Sequence, residues 1–133
     1  MKELYKLKAP VQIDMKVFDK WKMIVNNTEK LFEYVDGEKS DNQIGIKVNC
    51  VILEDNYEAQ GYTKNANRYE KITFKVLGEN DLNLFKIDEE VKPVAISKAI
   101  VYGDYNNQLS IECKLMNAGQ YAQRKQAQGQ SRR

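Results

Sequence analysis

Residues 44–53 read IGIKVNCVIL and carry the strongest periodic signal in the chain. Apolar side chains occupy every second position, at Ile44, Ile46, Val48, Cys50 and Ile52. Successive side chains of an extended strand point to opposite faces, so an alternation of period two is typical of a β-strand with one apolar face. The stretch therefore predicts a long strand that lays this face on a protein core.

Further β-rich stretches lie upstream and downstream of this strand. Upstream are residues 21–25 (WKMIV), ended by an Asn-Asn pair, and residues 31–35 (LFEYV), followed by an Asp-Gly pair that is typical of a hairpin turn. Downstream, a third strand is predicted with Ile72, Phe74 and Val76 on one face. Residues 91–103 and 108–116 then predict a terminal hairpin joined by the turn DYNN.

One short helix is predicted between the third and fourth main strands. Residues 79–85 (ENDLNLF) have the composition of one or two helical turns, with Asn80 or Asp81 as the cap. Five or six strands at short spacing with a single helix suit a small closed or partly open barrel better than a sandwich of seven or more strands. The predicted fold class is therefore mainly β.

The chain of 133 residues is long enough for one domain, predicted over residues 1–117, followed by a flexible tail over residues 118–133. The tail is rich in Gln, contains four basic residues and no acidic one, and is predicted to be disordered. The body before it is net acidic by two charges. Residues 1–18 lack the continuous apolar run of a signal peptide, so we expect a cytoplasmic protein without a membrane span. The segment before Lys20 either joins the barrel or forms an arm.

The composition excludes most catalytic chemistry. The chain has no histidine, and its two cysteines, Cys50 and Cys113, are far apart without a CxxC motif, so we expect buried, reduced thiols. The acidic pairs are mostly consecutive or lie in predicted turns, and no glycine-rich phosphate loop is present. We therefore predict a protein that is not an enzyme and that holds no metal or cofactor.

The tyrosine segment, residues 56–71 (NYEAQGYTKNANRYEK), combines aromatic and basic residues. We expect it to form a loop in which Tyr57, Tyr62 and Tyr69 stack on bases while Lys64 and nearby cations contact phosphates, an arrangement suited to single-stranded nucleic acid. The other cations of the segment are Arg68 and Lys71. The alternative is that the tyrosines fold back as lids over the end of the barrel.

The strand after this segment strengthens the interpretation. Tyr69, Lys71, Thr73 and Lys75 fall on one face at period two, and Lys47 with Asn49 could continue that face on the neighbouring strand. The alternative is an ordinary solvated surface. Trp21, which lies between two lysines, could also stack on a base, although a tryptophan at the start of a strand is more often a core residue.

Two stretches resemble a known family. Residues 32–52 (FEYVDGEKSDNQIGIKVNCVI) are similar to a stretch in small accessory proteins of Gram-positive conjugative elements, plasmids and related phages, and residues 85–116 resemble the closing part of an OB-fold. The resemblance spans residues 31–116. It implies an OB-like five-stranded barrel that binds single-stranded DNA without sequence preference and supports conjugative transfer or DNA replication of the element.

The resemblance also implies partners, but no catalytic residue. These partners are single-stranded DNA and a helicase or relaxase-type protein. We also expect further copies of the chain in an oligomer on DNA, because one small site of a few nucleotides gains strength when neighbours bind side by side. The chain departs from housekeeping single-strand binders in ending QGQSRR rather than in an acidic tip. The rival hypothesis is a non-enzymatic adaptor of a phage or conjugation complex that docks a protein through a strand edge or through the tail.

Overall fold

The structure is a computed structural model that describes residues 16–102 and 108–131. Within these ranges it contains five strands and two helices in the following chain order: α1 (Val17–Lys20), β1 (Trp21–Val35), β2 (Glu38–Asp55), β3 (Lys71–Leu77), β4 (Glu90–Tyr102), β5 (Gln108–Asn117) and α2 (Ala118–Ser131).

The five strands close into a barrel in the order β1-β2-β3-β5-β4. The β3–β5 pair is parallel, whereas the other neighbouring strands are antiparallel. Two contacts in the ring are short, because β3 pairs with β5 at only two positions and β4 pairs with β1 at only two. The predicted mainly β fold and OB-like five-stranded barrel are confirmed.

The core is formed by alternate residues of the strands, as the period-two pattern predicts. Ile46, Val48, Cys50 and Ile52 of β2 are buried, and so are the predicted inward residues of β3, namely Ile72, Phe74 and Val76. Ile44 is the exception and is exposed. The β1–β2 register shifts at this position, since Leu31 pairs with Gly45 and Phe32 with Gln43, so Ile44 falls in a bulge.

Both cysteines are buried and free, as predicted. Burial raises the pKa of each thiol to about 12. The protonated thiol therefore dominates at neutral pH, and both cysteines act as small core side chains.

The two β-rich stretches predicted before residue 36 belong to a single strand. β1 runs from Trp21 to Val35 and passes through the Asn-Asn pair with a shift in its register against β2, between Val25 and Asn27. An extra residue in one strand of an antiparallel pair is accommodated as a bulge, which bends the strand without ending it. The predicted break at this pair is therefore wrong.

The predicted position of the short helix is also wrong. The segment between β3 and β4 forms turns, in which the Glu79 carboxylate accepts the backbone N–H groups of Asn80 and Asp81, and Asp81 accepts that of Asn83. Side chains that hydrogen-bond to nearby backbone in this way compete with helix formation. The short helix is instead α1, which precedes β1 and buries Val17 and Phe18 against the barrel.

Where the sequence predicts a disordered tail, the structure has helix α2, which begins directly after β5. Asn117 caps its start by accepting the N–H of Gly119 at 2.8 Å. The Tyr121 hydroxyl donates to Asp19 at 2.5 Å, and Lys125 Nζ lies 3.0 Å from the same carboxylate. The tail is rich in residues that favour a helix, such as Ala, Gln, Arg and Lys. Its composition therefore permits a helix when contacts with the barrel stabilise this segment.

Two features predicted from the sequence lie outside the described residues. Of the segment before Lys20, the structure describes only Lys16 onward, so the hypothesis of an N-terminal arm concerns residues 1–15, which are not described. The DYNN turn at residues 104–107 is likewise outside the described ranges, although β4 and β5 on either side of it pair as the predicted hairpin.

Gly45 allows β2 and β3 to approach closely. A Cβ atom at this position would lie 2.3 Å from the backbone oxygen of Val76. We expect Gly45→Ala to force the two strands apart and to lower the free energy of unfolding by about 2 kcal/mol. Urea denaturation measures the change.

The matched control is Gly37→Asn, in the β1–β2 turn. Gly37 has a φ of +80°, which Asn tolerates, and no atom lies within 4 Å of a Cβ placed there. This variant should remain within about 0.5 kcal/mol of the wild type. Equal stability of Gly45→Ala and the wild type would contradict the close approach.

Candidate nucleic-acid interface

Asp55, the last residue of β2, organises the tyrosine segment. Its side chain is buried, with 0% exposure. One carboxylate oxygen accepts the indole N–H of Trp21 at 2.9 Å and the backbone N–H of Tyr57 at 3.1 Å. The other accepts the Tyr62 hydroxyl and the backbone N–H of Asn67, the latter at 3.0 Å. One carboxylate thus ties the start of β1 to both ends of the loop.

The four donors also set the ionisation of Asp55. Burial on its own raises the pKa of the carboxyl group, but the hydrogen bonds from Tyr62, Asn67, Tyr57 and Trp21 outweigh it and hold the pKa below its ordinary value. The charged form is therefore the one that the fold stabilises.

Tyr57 and Tyr62 fold back onto the barrel. Their rings meet edge to face, with centroids 5.0 Å apart, and Tyr57 packs against the core. The Tyr62 hydroxyl also accepts the side-chain N–H of Asn67 at 2.9 Å. The two rings are half-buried, which is the lid arrangement that the sequence leaves open as the alternative to base stacking.

Tyr69 is placed differently from the other two tyrosines. Its side chain is 64% exposed, and the guanidinium carbon of Arg68 lies 4.7 Å from the centre of its ring. Its φ of +71° takes it out of the extended conformation, and β3 begins only at Lys71, so the prediction that Tyr69 continues the outer face of β3 is wrong. What results is an exposed ring with a cation against it at the entrance to β3.

The outer faces of β2 and β3 form a continuous surface, which we call the lysine face. Lys47 lies opposite Lys75, and Asn49 lies opposite Thr73. The Thr73 hydroxyl donates to the Asn49 side-chain oxygen at 2.6 Å. Lys71 extends the surface at the start of β3. The predicted continuation of the β3 face onto β2 through Lys47 and Asn49 is confirmed.

A groove of about 560 Å³ borders the lysine face. Lys71, Thr73 and Lys75 of β3 line one side, and Leu109 and Ser110 of β5 line the other. The groove exists because β3 and β5 pair only at Phe74–Ile111 and Lys75–Glu112, so the strands are unpaired before that point. It can take a planar group beside two lysines.

Trp21 and Lys64 do not join the lysine face. The Trp21 side chain is 5% exposed, packs edge to face against Phe18 with centroids 5.9 Å apart, and has its N–H committed to Asp55. Trp21 is among the residues that line the groove, but so little of its side chain is exposed that the stacking role expected for it is corrected to a core role. Lys64 is exposed in the tyrosine segment, and no described contact links it to β2 or β3.

A further exposed feature, not among the residues predicted from the sequence, is the hairpin arm, residues 32–43, which forms the end of the β1–β2 hairpin. Tyr34 is 65% exposed and Val35 is 52% exposed, and Lys39 Nζ lies 4.5 Å from the centre of the Phe32 ring. The signal for an exposed arm was present, because apolar residues occupy adjacent positions in LFEYV and one face of a strand cannot bury them all.

Comparisons with known proteins assign no family: no protein-family model matches the chain, and no curated protein or solved structure does. Within residues 16–102 and 108–131, no three side chains of the metal-binding types converge on a common site. No helix in this part of the chain is both long and apolar enough to cross a membrane.

The low pKa of Asp55 makes part of the stability depend on pH. The ionised carboxylate stabilises the folded state above the unfolded pKa of about 3.9, and this contribution disappears as the pH falls through the folded pKa. We expect Asp55→Asn to lower the free energy of unfolding by about 3 kcal/mol at pH 7, because the amide cannot accept all four hydrogen bonds. On acidification, the free energy of unfolding of this variant should fall by less than that of the wild type. Urea denaturation at pH 7 and at lower pH measures both.

Glu54→Gln is the control, since Glu54 is exposed and adjacent in the chain. This variant should stay close to the wild type at pH 7. An acid-induced loss of stability in Asp55→Asn as large as that of the wild type would show that Asp55 does not carry the effect.

Proposed function

We propose that this protein binds single-stranded DNA without sequence preference through its lysine face. The observation that carries the proposal is the pairing of Lys47 with Lys75 on the outer surface of β2 and β3. In five-stranded OB-type barrels, this face and the adjoining loops bind oligonucleotides. The process served is conjugative transfer or DNA replication of a plasmid, another mobile element or a phage, in the cytoplasm.

The electrostatics of the lysine face favour an anionic ligand. Lys47 and Lys75 lie directly opposite each other, where like charges repel, while on its other side each lysine lies opposite an acid, Glu29 of β1 for Lys47 and Glu112 of β5 for Lys75. A phosphate placed between the two lysines replaces their repulsion with two attractions. Lys71 lies four residues from Lys75 on β3, about 13 Å along the strand, so the cations form a track.

Stacking is assigned to Tyr69 rather than to all three tyrosines. Tyr57 and Tyr62 are engaged with the core and with Asp55, and they hold the tyrosine segment in place. Tyr69 is exposed, and Arg68 lies beside its ring, so a base can stack on the ring while the guanidinium meets a phosphate. The groove next to Lys71 and Lys75 offers space for a second, unstacked base.

The proposed partners follow from the same function. They are single-stranded DNA, a helicase or relaxase-type protein of the same element, and further copies of the chain on the strand. The protein acts by coating or presenting DNA and has no catalytic role.

Replacing the facing lysines tests the phosphate track. We expect the double variant Lys47→Gln/Lys75→Gln to bind an oligo-dT of about 30 nucleotides at least about 10-fold more weakly than the wild type. The slope with which log affinity falls as log salt rises should become less steep by about 1.4. Fluorescence anisotropy at several salt concentrations measures both quantities.

Lys98→Gln is the matched control for charge. Lys98 is an exposed lysine on β4, which is separated from β2 by β1 and from β3 by β5. Because Lys98→Gln removes one charge and the double variant removes two, a loss of binding free energy half as large as that of the double variant would indicate a general charge effect in place of the lysine face. If the wild type binds neither single strand nor duplex at low salt, the adaptor hypothesis replaces the proposal.

Tyr69 is tested by keeping or removing its ring. We expect Tyr69→Leu to weaken oligo-dT binding by about 5- to 150-fold, the equivalent of about 1 to 3 kcal/mol for one stacked base, whereas Tyr69→Phe should bind nearly as well as the wild type. The same anisotropy titration compares the two variants. Equal affinities of the Leu and Phe variants would show that the ring makes no stacking contact.

A further inference from the structure

The hairpin arm is an acidic projection from the barrel. The pairing of β2 with β3 ends at Gly45–Leu77, and the arm continues beyond it for four residues of β1, about 13 Å. Its exposed charges are one lysine, Lys39, against four acids: Glu33, Asp36, Glu38 and Asp41. This charge disfavours phosphate, so the arm is unsuited to extend the lysine face.

The arm is ordered and carries apolar side chains near its tip. The Ser40 hydroxyl donates to the Glu33 carbonyl at 2.8 Å, and the Asn42 side chain donates to the Glu33 carboxylate at 2.8 Å. These cross-strand bonds hold the ribbon in which Tyr34 and Val35 are exposed. An exposed aromatic and aliphatic pair on a rigid support has the character of an interface anchor.

A second surface, which we call the basic groove, has the complementary chemistry. It has a volume of about 230 Å³ and lies between β4 and α2, with the following lining: Pro93, Val94, Ala95, Tyr121, Arg124 and Lys125. Lys114 of β5 pairs with Val94 and adds a third cation beside it. Among the described residues, Lys114 and Arg124 form no ion pair, whereas Lys125 is paired with Asp19.

The two surfaces lie at opposite ends of β1. Lys92, next to Pro93, donates from its Nζ to the carbonyl of Trp21 at 2.6 Å, so the basic groove is near the start of β1. The arm tip is at the other end, fourteen residues away, which corresponds to at most about 46 Å along the strand. Because β1 is paired with β2 along its whole length between these two places, the proposed contact joins different copies of the chain.

We propose that the hairpin arm of one copy of this chain docks into the basic groove of the next copy. Val35 and Tyr34 point to opposite faces of the arm, so Val35, with Glu38 opposite it, covers the apolar floor of the groove, while Tyr34 packs at the rim. The acids of the arm face Lys114 and Arg124. Because the two contacting surfaces differ, the contact is head-to-tail and continues from copy to copy in an open chain. The contact does not require DNA, and on a DNA strand it would make neighbouring molecules bind cooperatively.

The test measures molecular mass without DNA, by sedimentation velocity over a range of protein concentrations. We expect the mass of the wild type to rise with concentration and to fall when salt is added. The arm variant Tyr34→Ser/Val35→Ser and the groove variant Lys114→Glu/Arg124→Glu should each remain monomeric. A one-to-one mixture of the two variants should form dimers and nothing larger, since only one intact arm and one intact groove can meet.

The controls alter similar side chains elsewhere. Ile87→Ser removes an apolar side chain that is 69% exposed, and Lys98→Glu reverses an exposed charge, so both should associate as the wild type does. Circular dichroism and thermal melting verify that each variant is folded.

Several results would overturn the docking. The first is a wild type that stays monomeric up to about 0.5 mM, and the second is an arm variant or a groove variant that associates like the wild type. The third is a one-to-one mixture of these two variants that stays monomeric or forms assemblies larger than a dimer. An arm variant with normal association and weakened oligo-dT binding would assign the arm to DNA instead. Since no DNA is present in the mass measurement, the proposed DNA binding can fail without affecting this result.

Discussion

The buried carboxylate of Asp55 is the interaction on which the surrounding structure depends. A charged group enclosed by protein is stable only when its oxygens are fully hydrogen-bonded, and here four donors come from two separate parts of the chain. Trp21 brings the start of β1, and Tyr57, Tyr62 and Asn67 bring the loop between β2 and β3. Because one carboxylate needs all of them, the end of the barrel and the tyrosine segment take one arrangement together.

This arrangement separates the roles of the tyrosines. Two rings are used to close the barrel end, and the third, Tyr69, stands at the entrance to β3 with Arg68 against it. The lysine face begins directly after that point. The net charge of the whole chain is small, but its positive and negative residues lie on different surfaces. Lysines lie on the outer faces of β2 and β3, acidic residues lie on the hairpin arm, and a second cationic surface lies beside α2. Different surfaces of one small barrel are thus suited to different partners.

Much of the barrel was predictable from alternation alone. The inward residues of β2 and β3 follow the period-two pattern, and the cysteines fall in it as buried thiols. Two of the wrong predictions concern places where a local signal competes with distant contacts, and one concerns two competing local signals. Asn-Asn looks like the end of a strand but is absorbed as a bulge by pairing with β2. Residues 79–85 have helical composition, yet Glu79 and Asp81 bind nearby backbone and favour turns. The tail becomes a helix with Asp19 as its anchor, 102 residues from Tyr121 in the chain.

The sequence by itself determined the strands, their inward faces, the absence of histidine chemistry and the supply of lysines and tyrosines, because these depend on residue type and on a period of two. Only the tertiary structure decided which lysines face each other, which tyrosines are free, and that Trp21 serves the core. Those outcomes depend on strand register, bulges and one buried carboxylate, which join residues far apart in the chain and leave no local pattern.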